Sequence, residues 1–142
     1  MKLLSTHPVK KLDLGFHGNL FGGQLLSWID AAAAAYAMER CHSKNMVTIA
    51  IDKCVFKKPA KEGNLVKIYA DMIKVGTTSA IFEVQARVYN VFTSEETPIL
   101  TTNISFVRID DEGGPIPISD QVRREFNHSM SERTDISPTN NA

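Results

Sequence analysis

Hydrophobic and polar residues alternate in four segments of the chain, and short, turn-rich connections separate these segments. The segments read MVTIAIDKCVF, NLVKIYADMIK, SAIFEVQARVY and PILTTNISFVRID. Alternation with a period of two predicts strands that place one face on a core and the other face in a wetter setting. The predicted core faces are Val47, Ile49, Ile51 and Val55; Val66, Ile68, Ala70 and Met72; Ala80, Phe82, Val84, Ala86 and Val88; and Leu100, Thr102, Ile104 and Phe106.

A long helix is predicted ahead of these strands, from about Gly22 to about Arg40, and a short strand ahead of the helix, over residues 3–9. Ala, Leu and Met favour the helix, and no proline interrupts it. The helix is apolar on nearly all sides, which predicts that other structure surrounds it. The strand connections are too short for parallel crossovers, which need about a dozen residues, so the strands are predicted to be antiparallel. The predicted fold is α+β, with a curved antiparallel sheet wrapped around a long central helix.

Residues 1–118 are predicted to form one domain, and residues 119–142 a C-terminal extension. Within the extension, VRREF predicts a short helix of one or two turns. From Ser129 onward the chain is polar and lacks apolar periodicity, which predicts a disordered tail.

The chain of 142 residues carries 16 basic and 16 acidic residues, so its formal net charge is zero. This balance predicts no broad electrostatic surface for nucleic acid or an anionic membrane. Cys41 and Cys54 lack the spacing of a metal site, which favours reduced thiols in the cytoplasm. The N-terminal apolar run is too short for a secretory signal, and Asp30 within apolar residues 21–38 argues against a membrane span. We therefore expect a cytoplasmic protein with no nucleic-acid or membrane partner.

Asp30 is the one charged residue of that apolar segment, and it follows Gly23 by seven residues. Such spacing places both residues on one face of a helix. A buried acid is usually paired or used in chemistry, and an apolar setting favours a carboxylate as a general base. Gly22 and Gly23 lie at the predicted helix start, where free backbone N–H groups suit a carbonyl oxygen and glycine allows close approach.

In their order and spacing, HGNLFGGQLLSWID, VTIAIDKCVF and KPAKEG resemble the hotdog-fold acyl-CoA thioesterases. The resemblance covers about residues 5–118 and is greatest to the acyl-CoA hydrolase branch, which includes bacterial enzymes and tandem-domain animal enzymes. It implies hydrolysis of an acyl-CoA thioester to a free carboxylic acid and CoA, with no metal and no cofactor besides the CoA of the substrate. It also implies a homo-oligomer, at least a dimer and often a trimer of dimers, which is a homohexamer.

The resemblance implies roles for individual residues. Asp30 is implied as the general base or nucleophile, with Asn19 and the amides of the helix start positioning water and the thioester carbonyl. One member of the catalytic pair is implied to come from each chain of a dimer. The implied substrate-binding residues are Phe21, Gly22, Gly23, Lys57, Lys58, Lys74, Gly76, Thr77, Thr78 and Ser79.

The chain departs from the family pattern at two positions. Some relatives carry a catalytic aspartate where this chain has Asn19, and others carry an asparagine where it has Gly15. Asn19 has no basic group, but its amide can orient water or polarise a carbonyl. Two alternative functions stay open: a non-catalytic acyl-CoA sensor, and a hotdog hydratase or dehydratase of acyl thioesters. The latter normally uses a histidine, and His17 is the histidine near the motif.

Overall fold

The structure, a computed structural model, describes residues 1–136. Its elements are β1 (Lys2–Pro8), a short 3₁₀ helix (Lys11–Asp13), α1 (Gly22–Cys41), β2 (Met46–Phe56), β3 (Leu65–Val75), β4 (Ser79–Tyr89), β5 (Glu96–Arg108) and α2 (Asp120–Ile136). The predicted central helix and all predicted strands are confirmed, with bounds that differ by only a few residues.

The five strands form one antiparallel sheet in the order β1-β3-β4-β5-β2, so β1 and β2 are its edges. Helix α1 contacts each of the five strands. A sheet that curves around one helix buries the apolar faces of both elements. The predicted α+β architecture is confirmed.

The core lies between α1 and the inner face of β3, β4 and β5. The predicted core faces of these three strands are confirmed, and Phe82 at their centre is fully buried. The Phe82 ring meets Tyr36 of α1 and Phe106 of β5 edge to face, with ring centroids 5.6 and 5.7 Å apart. Removing a ring from such a site leaves a cavity, so Phe82→Ala is expected to destabilise the fold by about 3–5 kcal/mol.

The predicted core face of β2 is wrong. Val47, Ile49, Ile51 and Val55 are 38% to 58% exposed in the single chain. Register shifts between Thr48 and Ala50 and between Asp52 and Val55 interrupt the alternation, because each bulge moves the following side chains to the other face. Ile51 therefore lies on the helix side, opposite Ile104. As an edge strand, β2 also has no neighbour on one side to cover it.

Helix α1 is also less enclosed than predicted. Leu25, Ile29, Ala33 and Ala37 face the sheet and are buried. The opposite side is exposed in the single chain, and it is formed by Gly23, Ser27, Ala31, Ala35 and Met38. The apolar edge strand and the uncovered helix side together indicate that a single chain leaves part of its apolar surface for association.

Helix α2 is longer than the one or two turns predicted. Its first half is anchored because Val122 is buried and Phe126 packs against the core. The predicted disorder is wrong for residues 129–136, which continue the helix. An His128–Glu132 pair at 3.1 Å and an Arg133–Asp71 ion pair at 3.2 Å support these polar turns. The rest of the predicted tail lies outside the described residues, and the division of the chain near residue 118 stays a prediction.

Candidate active site

A cavity of about 340 Å³ lies where the loop before α1 meets the end of β2. Its lining residues are His17, Asn19, Leu20, Gly22, Leu25, Phe56, Lys57, Lys58, Pro59, Ala60 and Ile99. Four of the predicted site residues, Asn19, Gly22, Lys57 and Lys58, are thus brought together around one opening. The other lining residues are mostly apolar, which suits a ligand with both a polar and an apolar part.

Backbone hydrogen bonds determine the shape of the loop over residues 13–21. The N–H of Phe21 donates to the C=O of Asp13 at 2.8 Å, and the N–H of Gly15 donates to the C=O of Asn19 at 2.7 Å. The N–H of Leu20 donates to the C=O of Ala60 at 2.8 Å, which joins the loop to the segment after β2. Asn19 is held at the cavity in this way, while its side-chain amide bonds to none of the described residues and is available to a ligand.

The first turn of α1 presents unused backbone donors. The C=O of Phe21 accepts the N–H groups of Gln24 and Leu25, but those of Gly22 and Gly23 find no acceptor among the described residues. A Cβ at Gly22 would lie 3.1 Å from the Phe56 ring, and one at Gly23 would lie 2.6 Å from the ring of Phe21. A side chain at either position would therefore push one of these exposed rings aside, whereas glycine lets both rings pack against the helix start. Free N–H groups at a helix start stabilise a negative oxygen.

Asp30 lies away from this cavity. It follows Gly22 by eight residues, which corresponds to about 12 Å along a helix at 1.5 Å per residue. The carboxylate is half-buried and accepts a hydrogen bond from the Thr48 hydroxyl at 2.7 Å. It does not line the cavity. A single chain therefore separates the two predicted catalytic residues, Asn19 and Asp30.

Lys57 and Lys58 are exposed at the cavity. The N–H of Lys57 donates to the C=O of Ile99 at 2.8 Å, so the backbone at this point is bound to the sheet. Neither ammonium group forms an ion pair with any residue that the structure describes. Two unpaired cations beside a cavity favour an anionic ligand group such as a phosphate.

Five other predicted binding residues, Lys74, Gly76, Thr77, Thr78 and Ser79, lie at the opposite end of the sheet. Ser79 pairs with Val107, whereas Phe56 pairs with Leu100. Seven residues of β5 separate these positions, about 24 Å at 3.4 Å per residue. The C=O groups of Gly76 and Thr77 accept hydrogen bonds from Arg123 of α2. Within one chain the structure does not bring this turn to the cavity.

The cysteines are unsuited to nucleophilic attack. Cys41 is buried, and burial raises the pKa of its thiol to about 11. Burial also raises the pKa of Cys54. Both groups are therefore protonated near neutral pH, whereas the thiolate is the reactive form.

Three residues near the candidate site were not predicted from the sequence. Thr48 holds Asp30, while Asp13 and Gln24 are joined by a hydrogen bond of 3.1 Å beside the helix start. Gln24 gave one visible signal, because it is a polar residue in an apolar helix. Nothing in the sequence marked Asp13 or Thr48. Among the residues described, no group of three or more His, Cys, Asp or Glu side chains is placed to hold a metal ion. None of the helices within residues 1–136 has the length and hydropathy that crossing a membrane requires.

Residues 17–90 match the family model of the thioesterase superfamily. An uncharacterized acyl-CoA thioester hydrolase of Bacillus subtilis is 30% identical over 139 residues, which are 98% of this chain and 80% of that protein.

Solved structures that share the fold include the following two. A hexameric hotdog-fold thioesterase of Campylobacter jejuni is 28% identical with a TM-score of 0.80, covering 89% of this chain and 97% of that one. An acyl-CoA hydrolase of Staphylococcus aureus, solved with butyryl-CoA, CoA and CoA disulfide, is 28% identical with a TM-score of 0.76, covering 92% and 90%. Structures have also been solved for variants of that enzyme in which an aspartate, an asparagine or a threonine is replaced by alanine.

Proposed function

The chain belongs to the thioesterase superfamily, and from this premise we propose that it hydrolyses acyl-CoA thioesters to a carboxylic acid and CoA. The observation that supports this most is the pair of unused N–H groups at Gly22 and Gly23, next to a cavity that Asn19 also lines. An attacked thioester carbonyl becomes an oxyanion, and preorganised N–H donors stabilise that oxyanion. Lys57 and Lys58 supply positive charge for the phosphates of CoA.

The proposed reaction uses water and the side chains of the protein. As general base, Asp30 takes a proton from water while the water oxygen bonds to the thioester carbon. The carbonyl electron pair moves to the oxygen, where the N–H groups of the helix start bind it. The electron pair then returns from the oxygen to re-form the carbonyl, and the C–S bond breaks. The leaving sulfur takes the proton from Asp30, which gives the CoA thiol and restores the carboxylate. If Asp30 is instead the nucleophile, its carboxylate bonds to the acyl carbon while the C–S bond breaks and CoA thiolate leaves. Water then cleaves the resulting anhydride to the carboxylic acid and the free carboxylate, and the proton that this releases goes to the thiolate.

We further propose that two chains share each site. The cavity lies near Phe56 at the end of β2, and Asp30 is bound to Thr48 near the start of β2. Asp52 is midway between these two positions. If two β2 edges pair antiparallel about a two-fold axis near Asp52, Phe56 of one chain lies beside Thr48 of the other. Asn19 and the helix start of one chain then face Asp30 of its partner.

The same pairing covers the surfaces that a single chain exposes. It gives the β2 edge a neighbour and covers apolar side chains of β2 that are exposed in the single chain. Three such dimers give the hexamer that we propose, in line with the hexameric neighbour from Campylobacter jejuni. In the proposed dimer, each chain supplies Asp30 to the site of its partner.

An assay of thiol release with CoA esters from acetyl to palmitoyl and with enoyl- and hydroxyacyl-CoA, run in ¹⁸O-labelled water, tests the proposed reaction. Hydrolysis predicts free CoA together with one ¹⁸O atom in the released acid. A hydratase or dehydratase would change an enoyl or hydroxyacyl chain without releasing thiol. A sensor would bind the esters without turnover. Either of the last two results would contradict the proposal.

A further inference from the structure

Asp13 is the one charged residue in the buried class among residues 1–133, with 6% exposed. The proposed reaction gives it no direct role. Its Oδ2 accepts the N–H of Lys10 at 2.8 Å, and its Oδ1 accepts the side-chain N–H of Gln24 at 3.1 Å. The buried carboxylate is therefore satisfied by two donors, one on each side of it.

These contacts join the two parts of the candidate site. The C=O of Asp13 closes the loop by accepting the N–H of Phe21 at 2.8 Å, and this loop carries Asn19. Gln24 belongs to the first turn of α1, directly after Gly22 and Gly23. The Asp13 carboxylate thus ties the loop that holds Asn19 to the helix turn that presents the free N–H groups.

Stability alone is a weak reason for such a group. Burying a carboxylate costs free energy that its hydrogen bonds offset. The bond from Lys10 caps the 3₁₀ helix, but the bond from Gln24 reaches a separate element, which capping does not require. A charged acceptor does give a short, directional link between two segments. Catalysis by several separate donors requires that their directions and distances be fixed, since small displacements of the donors lower the reaction rate.

We propose that Asp13 and Gln24 are positioning residues that fix Asn19 relative to the N–H groups of Gly22 and Gly23. This rests on the proposed thioester hydrolysis at that site. The pair acts through the geometry of the loop and helix start, without touching the substrate. Disrupting the Asp13–Gln24 hydrogen bond should lower the rate of the chemical step more than the affinity for CoA. The proposed phosphate-binding residues, Lys57 and Lys58, lie on the segment after β2, outside the loop and helix turn that this bond joins.

An exchange of donor and acceptor tests the pair. Gln24→Glu sets two carboxylates about 3 Å apart, where they repel each other. In the double variant Asp13→Asn/Gln24→Glu, the Asn amide donates to the Glu carboxylate, so the link is restored in reverse. We expect Gln24→Glu to lower kcat at pH 8 about tenfold or more, with KM within about threefold, because a charged hydrogen bond is lost. The double variant should recover kcat to within about threefold of the parent.

The pH dependence gives a second readout. Two adjacent carboxyl groups share a proton as the pH falls, and a shared proton restores a hydrogen bond between them. The kcat of Gln24→Glu relative to the parent should therefore rise from pH 8 to pH 5.5. His7 of β1 interacts electrostatically with Asp13, and burial lowers the pKa of His7. Groups that titrate in both proteins cancel in this ratio of kcat values. For the double variant, the ratio of its kcat to that of the parent should not change with pH.

Gln85→Glu is the matched control, because the Gln85 carbonyl accepts a hydrogen bond from Arg87 far from the cavity. It makes the same chemical change and should leave kcat unaltered. Melting temperatures identify any loss of fold, and kinetics are measured well below them. A purely structural pair would lower the melting temperature in Gln24→Glu and leave kcat of the folded enzyme unchanged, and this result would overturn the proposal.

Amide hydrogen exchange over residues 13–23 provides a readout that does not depend on activity. Exchange should be faster in Gln24→Glu and return to the parental rate in the double variant. Unchanged exchange in Gln24→Glu would also overturn the proposal. A parent that exchanges as expected but releases no thiol would instead contradict the proposed hydrolysis, so the two failures are distinguishable.

Discussion

Thr48 donates a hydrogen bond of 2.7 Å to Asp30, and this bond fixes the acid of α1 against the edge strand β2. The acid is therefore tied to the strand through which two chains are proposed to pair. Asn19 and the free N–H groups of α1 lie at the other end of the same strand. The proposed site would thus need two halves that a single chain holds apart.

Asp30→Asn is expected to keep the fold and lower kcat by about 100-fold or more, the usual contribution of a general base. The amide is nearly isosteric with the carboxylate, so the melting temperature should hold or rise. Glu39→Gln is the control, because it removes an exposed acid from the same helix. Activity of Asp30→Asn within about threefold of the parent would exclude Asp30 as base or nucleophile.

Thr48→Val removes the hydroxyl donor and keeps the branched shape of the side chain. A hydrogen bond to a charged group contributes about 1.5–3 kcal/mol, so we expect kcat to fall about tenfold or more. Thr48→Ser retains the hydroxyl and should stay within about threefold of the parent. Steady-state kinetics on one CoA ester compare the three proteins. Equal loss in both variants would show that Thr48 acts through packing alone.

Lys57→Ala/Lys58→Ala is expected to raise KM for an acyl-CoA about tenfold or more, because charge-assisted contacts to phosphate are lost. The same variant should treat an acyl-N-acetylcysteamine ester like the parent, since that substrate has no phosphate. Lys44→Ala removes an exposed lysine from outside the cavity lining and is the control. A similar rise in KM with both substrates would show that the two lysines support the cavity and do not bind phosphate.

Ile51→Lys places a charge on the apolar edge strand, and charged side chains on an edge prevent pairing. We expect a smaller particle by light scattering and loss of hydrolysis, with the secondary structure retained. Val91→Lys is the control because Val91 is also an exposed apolar residue, and it lies in the β4–β5 connection away from β2. A particle of unchanged mass would show that β2 is not the pairing edge.

Much of the fold could be predicted from the sequence because β3, β4 and β5 bury their apolar faces within one chain. The prediction from alternation was wrong for β2, because two bulges interrupt the alternation and Lys53 adopts a φ of 51°. No residue type in β2 signals that conformation, since a lysine rarely adopts a positive φ. The predicted helical end at Arg40 was accurate because Cys41 and His42 close the helix, with His42 in the left-handed region.

The candidate site was predictable where it depends on local sequence and unpredictable where it depends on packing. Asn19, Gly22 and Gly23 lie within one loop and helix start, so a short motif marks them. The Thr48–Asp30 bond joins residues 18 apart, and the Asp13–Gln24 bond joins residues 11 apart. Both bonds arise when separate elements meet, which residue spacing within one chain does not show.

Complementation between two inactive variants tests the shared site most directly. Asn19→Ala chains and Asp30→Asn chains are each expected to be inactive, and they are mixed in equal amounts under conditions that exchange subunits. Half of the resulting dimers are mixed, and each mixed dimer holds one intact and one doubly damaged site. A shared site therefore predicts recovery of about a quarter of the parental activity, by the symmetry of a two-fold dimer. Exchange confirmed by native mass spectrometry with no recovery of activity would contradict the shared site.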